Sequence, residues 1–277
     1  MISFFRRLLE GAAGGSRKPS AALGSRLTFE HQPAAIYAIG DVHGCHDLLT
    51  KLERIIVEDA SAIDGEKWII LLGDMVDRGP SSAQVLDHLL APPPEGFKRA
   101  CLTGNHERMM VQFIEQPKSA LRWLEFGGRE TLLSYGMDPR VLESAGHSER
   151  KLKQLLQSHI PEEHVNYLKH LPCMIQSTKY VFVHAGLRPG VPIAKQVEND
   201  ILTIKADFLN DTTDYGFTVV HGHTPVEEPE IRTNRINVDT GAYATGRISA
   251  VRLEKNEPPK FLQADLRSPS DSPSSFN

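Results

Sequence analysis

Six side chains suited to holding a pair of divalent metal ions stand where short apolar runs break. They are Asp41 and His43 in Gly40-Asp41-Val42-His43-Gly44, Asp74 in Gly73-Asp74, Asn105 in Gly104-Asn105-His106-Glu107, His184 in His184-Ala185-Gly186, and His223 in His221-Gly222-His223-Thr224. Carboxylate, amide and imidazole groups offer hard or borderline O and N donors. A dinuclear centre needs such a set around two ions roughly 3.5–4 Å apart, with one carboxylate able to bridge and positions left open for water. Asp41 and His43, in one loop, reach one ion; Asn105, His184 and His223 reach the other; Asp74 is the natural bridge. One Gly-Asp pair alone reads as a turn, whereas five breaks in register do not. The flanking glycines permit tight turns and close backbone approach.

The elements that must carry these residues follow from hydrophobic periodicity. A strand over 34–39 leads through the first break into a helix with Leu48, Leu49, Leu52, Ile55 and Ile56 on one face. A second strand over 68–72 precedes a helix carrying Val85, Leu86, Leu89 and Leu90, with Ser81 or Ser82 available as its cap. A third over 99–103 precedes a helix over 108–115. Three consecutive βα units demand a largely parallel sheet with right-handed crossovers, and ligands of such sheets gather at the strands' carboxyl ends, where the breaks fall. Residues 117–171 read as an inserted helical cap, after which strands resume over 173–176, 180–183, 217–220, 235–239 and 248–253. The expected fold is therefore α/β, a two-sheet sandwich spanning 34–266. An arm and linker over 1–33, rich in Gly, Ala and Ser across 11–25, precede it, and a disordered Ser/Pro tail over 267–277 follows.

Composition removes several classes of function. With 277 residues, 40% hydrophobic and 24% charged, the chain is an ordinary globular one. Its 31 basic against 35 acidic residues give a net charge of -4, which offers no field for nucleic acid. Cys45, Cys101 and Cys173 are dispersed and odd in number, against a disulfide framework or a thiolate cluster, so a cytoplasmic location is expected. No run approaches the ~20 apolar residues of a membrane span. Ile2, Phe5, Leu8 and Leu9 beside Arg6 and Arg7 could form only a surface-binding turn, and a frayed or docked arm is the plainer reading. His147, His159, His164 and His170 lack a carboxylate at ligand spacing and are expected to be solvent-facing or internally satisfied. His221 is expected to line the cleft behind His223, and Cys45, with no base nearby, to pack under the first loop.

As a set, the patterns GDxHG, GDxVDRG, GNHE, HAG and GHT resemble the calcineurin-like metallophosphoesterases, and among them the phosphoprotein phosphatase family in its bacterial form. The resemblance spans about 35–255, and Phe126-Gly127-Gly128 followed by Ser134-Tyr135-Gly136 extends it. It implies an α/β/β/α sandwich with a helical cap and the same ligands: Asp41, His43 and Asp74 for one metal; Asp74, Asn105, His184 and His223 for the second. Two divalent ions are expected, manganese foremost, with iron, zinc and magnesium compatible. Such ions neutralise phosphate charge and lower the pKa of a bridging water to give a hydroxide nucleophile. His106 then serves as general acid, Asp77 holds its imidazolium, and Arg78 and Asn105 bind phosphate.

One departure concerns the Trp-Ile-Arg segment common in such relatives, here Thr203-Ile204-Lys205. Lys205 replaces the arginine, keeping its charge but losing its planar fork, and Arg188 offers an alternative clamp. The implied function is a metal-dependent phosphoric monoester hydrolase acting on phosphorylated Ser, Thr or Tyr of proteins or on small phosphoesters. A symmetrical bis(5'-nucleosyl)-tetraphosphatase is the enzymatic alternative, to be favoured by a base-stacking aromatic beside the metals. Trp123 and Tyr135 are available for that role, although the core is the expected place of both. A non-catalytic, metal-binding scaffold for phosphorylated partners is the alternative of another class, and it would need neither His106 nor Asp77.

Overall fold

The structure, a computed structural model, describes residues 25–141 and 148–266. Expectations for the N-terminal arm before residue 25, for His147 and for the Ser/Pro tail lie outside those residues.

Strand β2 (Ala35–Ile39) is buried along its whole length because both its faces are covered. Ala35, Tyr37 and Ile39 point into one apolar cluster and Ile36 and Ala38 into another, the period-two alternation of a pleated strand. It pairs in parallel with β3 (Lys67–Leu71), which pairs in parallel with β4 (Phe97–Cys101). On its other side β10 (Arg247–Glu254) is antiparallel to β2 and to β11 (Lys260–Asp265), completing a sheet of order β11-β10-β2-β3-β4. The second sheet has the order β1-β5-β6-β7-β9-β8. Its strands are β1 (Arg26–Thr28), β5 (Met174–Gln176), β6 (Tyr180–Val183), β7 (Thr218–His221), β8 (Glu230–Ile231) and β9 (Arg235–Asn237).

The layers are visible in the three apolar clusters. Ile36, Ile70, Val251 and Leu253 of the first sheet meet Ile175, Phe182, Val220 and Ile236 of the second between the sheets. Outside the first sheet lie α1 (His46–Asp59), α2 (Ser82–Leu90) and α3 (Asn105–Glu115), with Leu52, Leu86 and Phe113 packed on Tyr37, Ile69 and Leu71. Outside the second, Val181 and Val219 are covered by Ile201 of α7 (Glu198–Thr203) and Phe208 of α8 (Ala206–Leu209). The architecture is the expected α/β sandwich of two sheets flanked by helices.

The insertion is helical, with α4 (Gly128–Ser134), α5 (Glu149–His159) and α6 (Glu162–Lys169). Leu132, Leu152, Leu156 and Leu168 join the same cluster as α1 to α3, so the insertion extends the outer helical layer. Three strands were not expected: β1, β11 and the two-residue β8, which is antiparallel to β9. β1 falls within the arm, where three residues give no period to read, yet it pairs in parallel with the distant β5. β11 alternates buried Leu262 and Ala264 with less buried Phe261, Gln263 and Asp265 over only six residues, being an edge that pairs only with β10. Neither Ser81 nor Ser82 caps α2 with its side chain; Ser82 Oγ instead accepts the N–H of Asp77 at 3.0 Å. α3 starts at Asn105, ahead of the expected 108, because Glu107 reaches back to the N–H of Gly104 at 2.7 Å.

Candidate metal centre and phosphate site

The loops after β2, β3, β4, β6, β7 and β9 meet at one rim around a cavity of about 200 Å³. Asp41, His43, Asp74, Arg78, Lys205 and His223 line it, together with Pro225, Asp239 and Tyr243. The first two loops are sewn together by Val42 and His43, whose N–H groups donate to the carbonyl of Asp74 at 3.1 and 2.8 Å. The buried carboxylate of Glu107 accepts the N–H groups of Asp74 (2.8 Å), Met75 (2.7 Å), Val76 (3.2 Å) and Gly104 (2.7 Å), which ties the second loop to the third. Only glycine fits at 104, since a Cβ there would lie 2.1 Å from Asp74 Oδ1. Among the described residues, the non-glycine positions with positive φ are His43, Asp74, Asp77, Arg78 and His223. All five belong to this rim, and strained backbone is tolerated where the surrounding structure holds a functional geometry in place.

Ring orientation at the candidate ligands suits a metal. His43 Nδ1–H donates to the carbonyl of Val76 at 2.9 Å, leaving Nε2 bare and facing Asp74 Oδ2 at 3.6 Å and Asp41 Oδ2 at 3.9 Å. His184 Nδ1–H donates to the carbonyl of Leu72 at 3.0 Å, and its Nε2 faces Asn105 Oδ1 and His223 Nδ1, each at 3.1 Å, and Asp74 Oδ2 at 3.3 Å. Lone pairs of so many acceptors converge stably only on a cation, and a carbonyl that fixes the tautomer is the usual outer support of a metal-bound histidine. His223 Nε2 is buried without a partner. The electrostatics agree. Burial pushes His43 and His223 down to about 3, keeping both rings neutral as ligands must be. Burial opposes a proton on His184, but Asp74, Asp41 and Glu107 outweigh it and push that ring up to about 10, so this position demands positive charge. Burial and Asp239 raise Asp41, while His184 and His106 overcome burial at Asp74 and hold it well below the usual carboxylate range. The donor set fits divalent ions, with Asp74 central to both groups.

His106 is brought close to the same carboxylate, with Nε2 at 3.8 Å from Asp74 Oδ2. Its neighbours distinguish it from the ligands. Nδ1–H donates to Asp77 Oδ2 at 2.7 Å, and the guanidinium of Arg78 lies 3.3 Å from Nε2, a cation that disfavours a metal there. Burial opposes its protonation, but Asp74 and Asp77 outweigh that and raise it above the ordinary histidine value. Asp77, fully buried, also accepts Trp123 Nε1–H and Thr131 Oγ1–H, each at 2.7 Å. The Gly-Gly and Ser-Tyr-Gly insertion thus buttresses the second loop, and the N–H of Arg78 donates to Gly127 O at 3.2 Å. Lys205 reaches the cavity as expected. Arg188 does not: its guanidinium is taken up by Asp200 and Asp207, so the expected alternative clamp is corrected to a residue outside the cavity lining.

Several other expectations have physical outcomes. Trp123 is buried as expected, yet its indole also serves Asp77. Tyr135 bonds His164 Nδ1 at 2.7 Å, and His164 Nε2 lies 3.1 Å from Asp87. His159 and His170 lie against the carbonyls of Leu155 and Asn166. His221 packs its ring against Phe208, centroids 5.2 Å apart. Burial pushes the Cys45 thiol up to about 11, as befits a packing residue. Pro225, Asp239 and Tyr243 of the cavity lining were not among the residues expected from sequence. Asp239 is buried, which pushes its carboxyl up to about 6; it follows the short strand β9, Arg-Ile-Asn, whose mixed composition gives a weaker signal than the apolar run before Asp41. Tyr243, 42% exposed, lays its ring under Arg78 with Cζ 4.7 Å from the centroid and meets the edge of His43 at 5.3 Å. Nothing in its spacing marks it.

Comparison with known proteins bears on this site. The profile of the family described as calcineurin-like phosphoesterase matches residues 34–255. A bis(5'-nucleosyl)-tetraphosphatase PrpE, asymmetrical, of Anoxybacillus flavithermus is 29% identical over 239 residues, covering 79% of this chain and 90% of that protein. A similarly named protein of Halalkalibacterium halodurans is 26% identical over 252 residues, covering 83% and 94%. Among solved structures, a protein assigned as a diadenosine tetraphosphatase superposes with a TM-score of 0.57 at 21% identity, over 88% of this chain and all of that one. The phosphoprotein phosphatase type expected from the motifs is not what these curated relatives are named for. The motifs, the paired sheets and a profile match that takes in every candidate metal ligand agree: the chain belongs to the calcineurin-like phosphoesterase family.

Proposed function

We propose that this metal-dependent phosphoester hydrolase acts on bis(5'-nucleosyl) tetraphosphates. The observation that carries the substrate reading is Tyr243, an exposed aromatic ring at the cavity mouth beside His43 and Arg78, where a nucleobase could stack. The names of the relatives support it. Tyr243 lines the same cavity as Arg78 and Lys205, so a group stacked on it would sit beside the phosphoryl group those cations hold.

Asp41, His43 and Asp74 would hold one divalent ion and Asp74, Asn105, His184 and His223 the other. When bound, such ions neutralise phosphate charge and acidify water. Arg78 and Lys205 place positive charge along the cavity wall for the phosphoryl oxygens. His106, held by Asp77 through Nδ1, has its Nε2 beside Arg78 and Asp74, two residues of the cavity lining, and would supply a proton to the leaving oxygen. Trp123 and Thr131 lock Asp77, so the imidazole keeps one orientation. Retention of this buried proton-donating pair favours an enzyme over a phospho-recognition scaffold.

The test is parallel turnover of diadenosine tetraphosphate, a phosphoserine peptide and 4-nitrophenyl phosphate with manganese. The dinucleotide should give the highest kcat/KM, with ATP and AMP as products if cleavage is asymmetrical, as in the relatives' name, and two ADP if symmetrical. Tyr243→Ala should lower kcat/KM on the dinucleotide by about ten-fold, a stacking contribution, and much less on the peptide. Preference for the phosphopeptide, with Tyr243→Ala neutral on the dinucleotide, would restore the phosphoprotein reading.

A further inference from the structure

Arg188 stands outside the cavity, but its partners bracket a residue that lines it. Nε and Nη2 of Arg188 pair with Asp200 on α7 at 3.0 and 2.6 Å, and Nη1 pairs with Asp207 on α8 at 2.5 Å. Lys205 lies between these two helices. It caps α8, its carbonyl accepts the N–H groups of Phe208 and Leu209 at 3.0 and 2.9 Å, and its side chain lines the cavity with His223.

Both ends of this bracket are anchored. Gln196, almost fully buried, accepts the N–H of Arg188 at 2.8 Å and donates to its carbonyl at 2.9 Å. Arg26 on β1 donates to the carbonyls of Ile193 and Gln196 at 2.7 and 2.6 Å. On the side of the metal ligands, Ala185 N–H donates to Ile201 O at 2.8 Å, tying the residue after His184 to α7. Gly186, at φ 155°, lets the Phe208 ring approach so closely that a Cβ would sit 2.3 Å from it. The segment from His184 to Phe208 is therefore a strap, and the Arg188 guanidinium is the clip that joins its two short helices.

We infer that Arg188 is a positioning residue that fixes Lys205 over the phosphate cavity. A lysine presents a point charge on a flexible stem, so its contact depends on where the backbone places that stem; an arginine's rigid fork is already organised for two oxygens. The clip supplies from outside the cavity the order that the lysine's own head group lacks. This inference rests on the phosphoester reading of the cavity.

The experiment uses the metal-loaded enzyme with Arg188→Met, Arg188→Lys, Lys205→Ala and the double variant Arg188→Met/Lys205→Ala, reading kcat, KM and competitive inhibition by inorganic phosphate. Arg188→Met should raise KM and the phosphate inhibition constant by about three- to ten-fold, in the range of coupling between residues of one network, with kcat changed less than about two-fold. Arg188→Lys, which can keep one carboxylate, should recover part of the loss. Lys205→Ala should raise the same two constants, and adding Arg188→Met should then change nothing further. Equal losses with and without Lys205 would show that Arg188 supports the fold at large and overturn the inference, as would Lys205→Ala with unchanged phosphate inhibition. A wild-type enzyme that hydrolyses no phosphoester would overturn the reading of the cavity instead.

Discussion

Replacing Asp77 by asparagine removes a charge while preserving a shape, which makes it the sharpest test of the proton-donating pair. Asp77 Oδ2 accepts from His106 and Trp123 and Oδ1 from Thr131, all at 2.7 Å. An asparagine can keep its carbonyl oxygen toward His106 and Trp123 and turn its amide toward Thr131 Oγ1, whose own proton can pass to Ser82 Oγ 3.0 Å away. The fold should therefore survive. What disappears is the charge-assisted bond to the imidazolium, worth about 1.5–3 kcal/mol against about 0.5–1.5 kcal/mol for its neutral counterpart. The difference of roughly 1–2 kcal/mol is a drop of about five- to thirty-fold in kcat on phenyl phosphate, whose leaving group needs a proton. On 4-nitrophenyl phosphate, whose leaving group does not, the drop should be less than about three-fold. Steady-state kinetics on the two esters, with metal content and thermal midpoint as controls, makes the comparison. Equal losses on both esters, or a loss that multiplies with that of His106→Asn in the double variant, would refute the reasoning, since both residues are argued to serve one proton.

Further outcomes follow from the same rim and from one site remote from it. Asp74→Asn should abolish turnover and release bound metal, because this carboxylate faces both His43 and His184; full metal content by elemental analysis with normal turnover would contradict it. Gly104→Ala forces a methyl group to 2.1 Å from Asp74 Oδ1 and 2.5 Å from its backbone N, an overpacking of about 1–3 kcal/mol. Calorimetry should show the midpoint falling by about 2–4 °C per kcal/mol, with activity lost as Asp74 is displaced. Asp59 accepts from Tyr37 (2.8 Å), Arg252 (2.9 Å) and Lys260 (2.5 Å); burial opposes its ionisation, but these partners outweigh burial and hold the carboxyl below its ordinary range. Its contribution is thus present above the unfolded carboxylate value of about 3.9 and lost as pH falls through the lower folded value. Asp59→Asn should cost about 1.5–3 kcal/mol in urea denaturation at pH 7, and the gap to wild type should close on acidification.

Among the described residues no helix is long and apolar enough to cross a membrane, in line with the absence of a long apolar run in the sequence. How much else was legible depended on range. Strands buried on both faces, such as β2, announce themselves by unbroken apolar runs, and the polar breaks at their carboxyl ends mark where side chains must gather. The layered fold and the candidate ligands Asp41, His43, Asp74, Asn105, His184 and His223 were therefore visible from local pattern and residue type. What that pattern cannot hold is partnership across distance. Glu107 binds four backbone N–H groups from two loops, Trp123 leaves the helical insertion to serve Asp77, and Tyr243 finds Arg78 only because β9 and β3 end at the same rim. Arg188 and Lys205 look equivalent in sequence, two cations after the same histidine motif. Their fates were decided by Asp200 and Asp207, which neutralise the first, while the second, between them, faces the cavity. Periodicity and residue chemistry are short-range properties of a chain, whereas the pairing of a charge with its partner is set by which loops the sheets bring together.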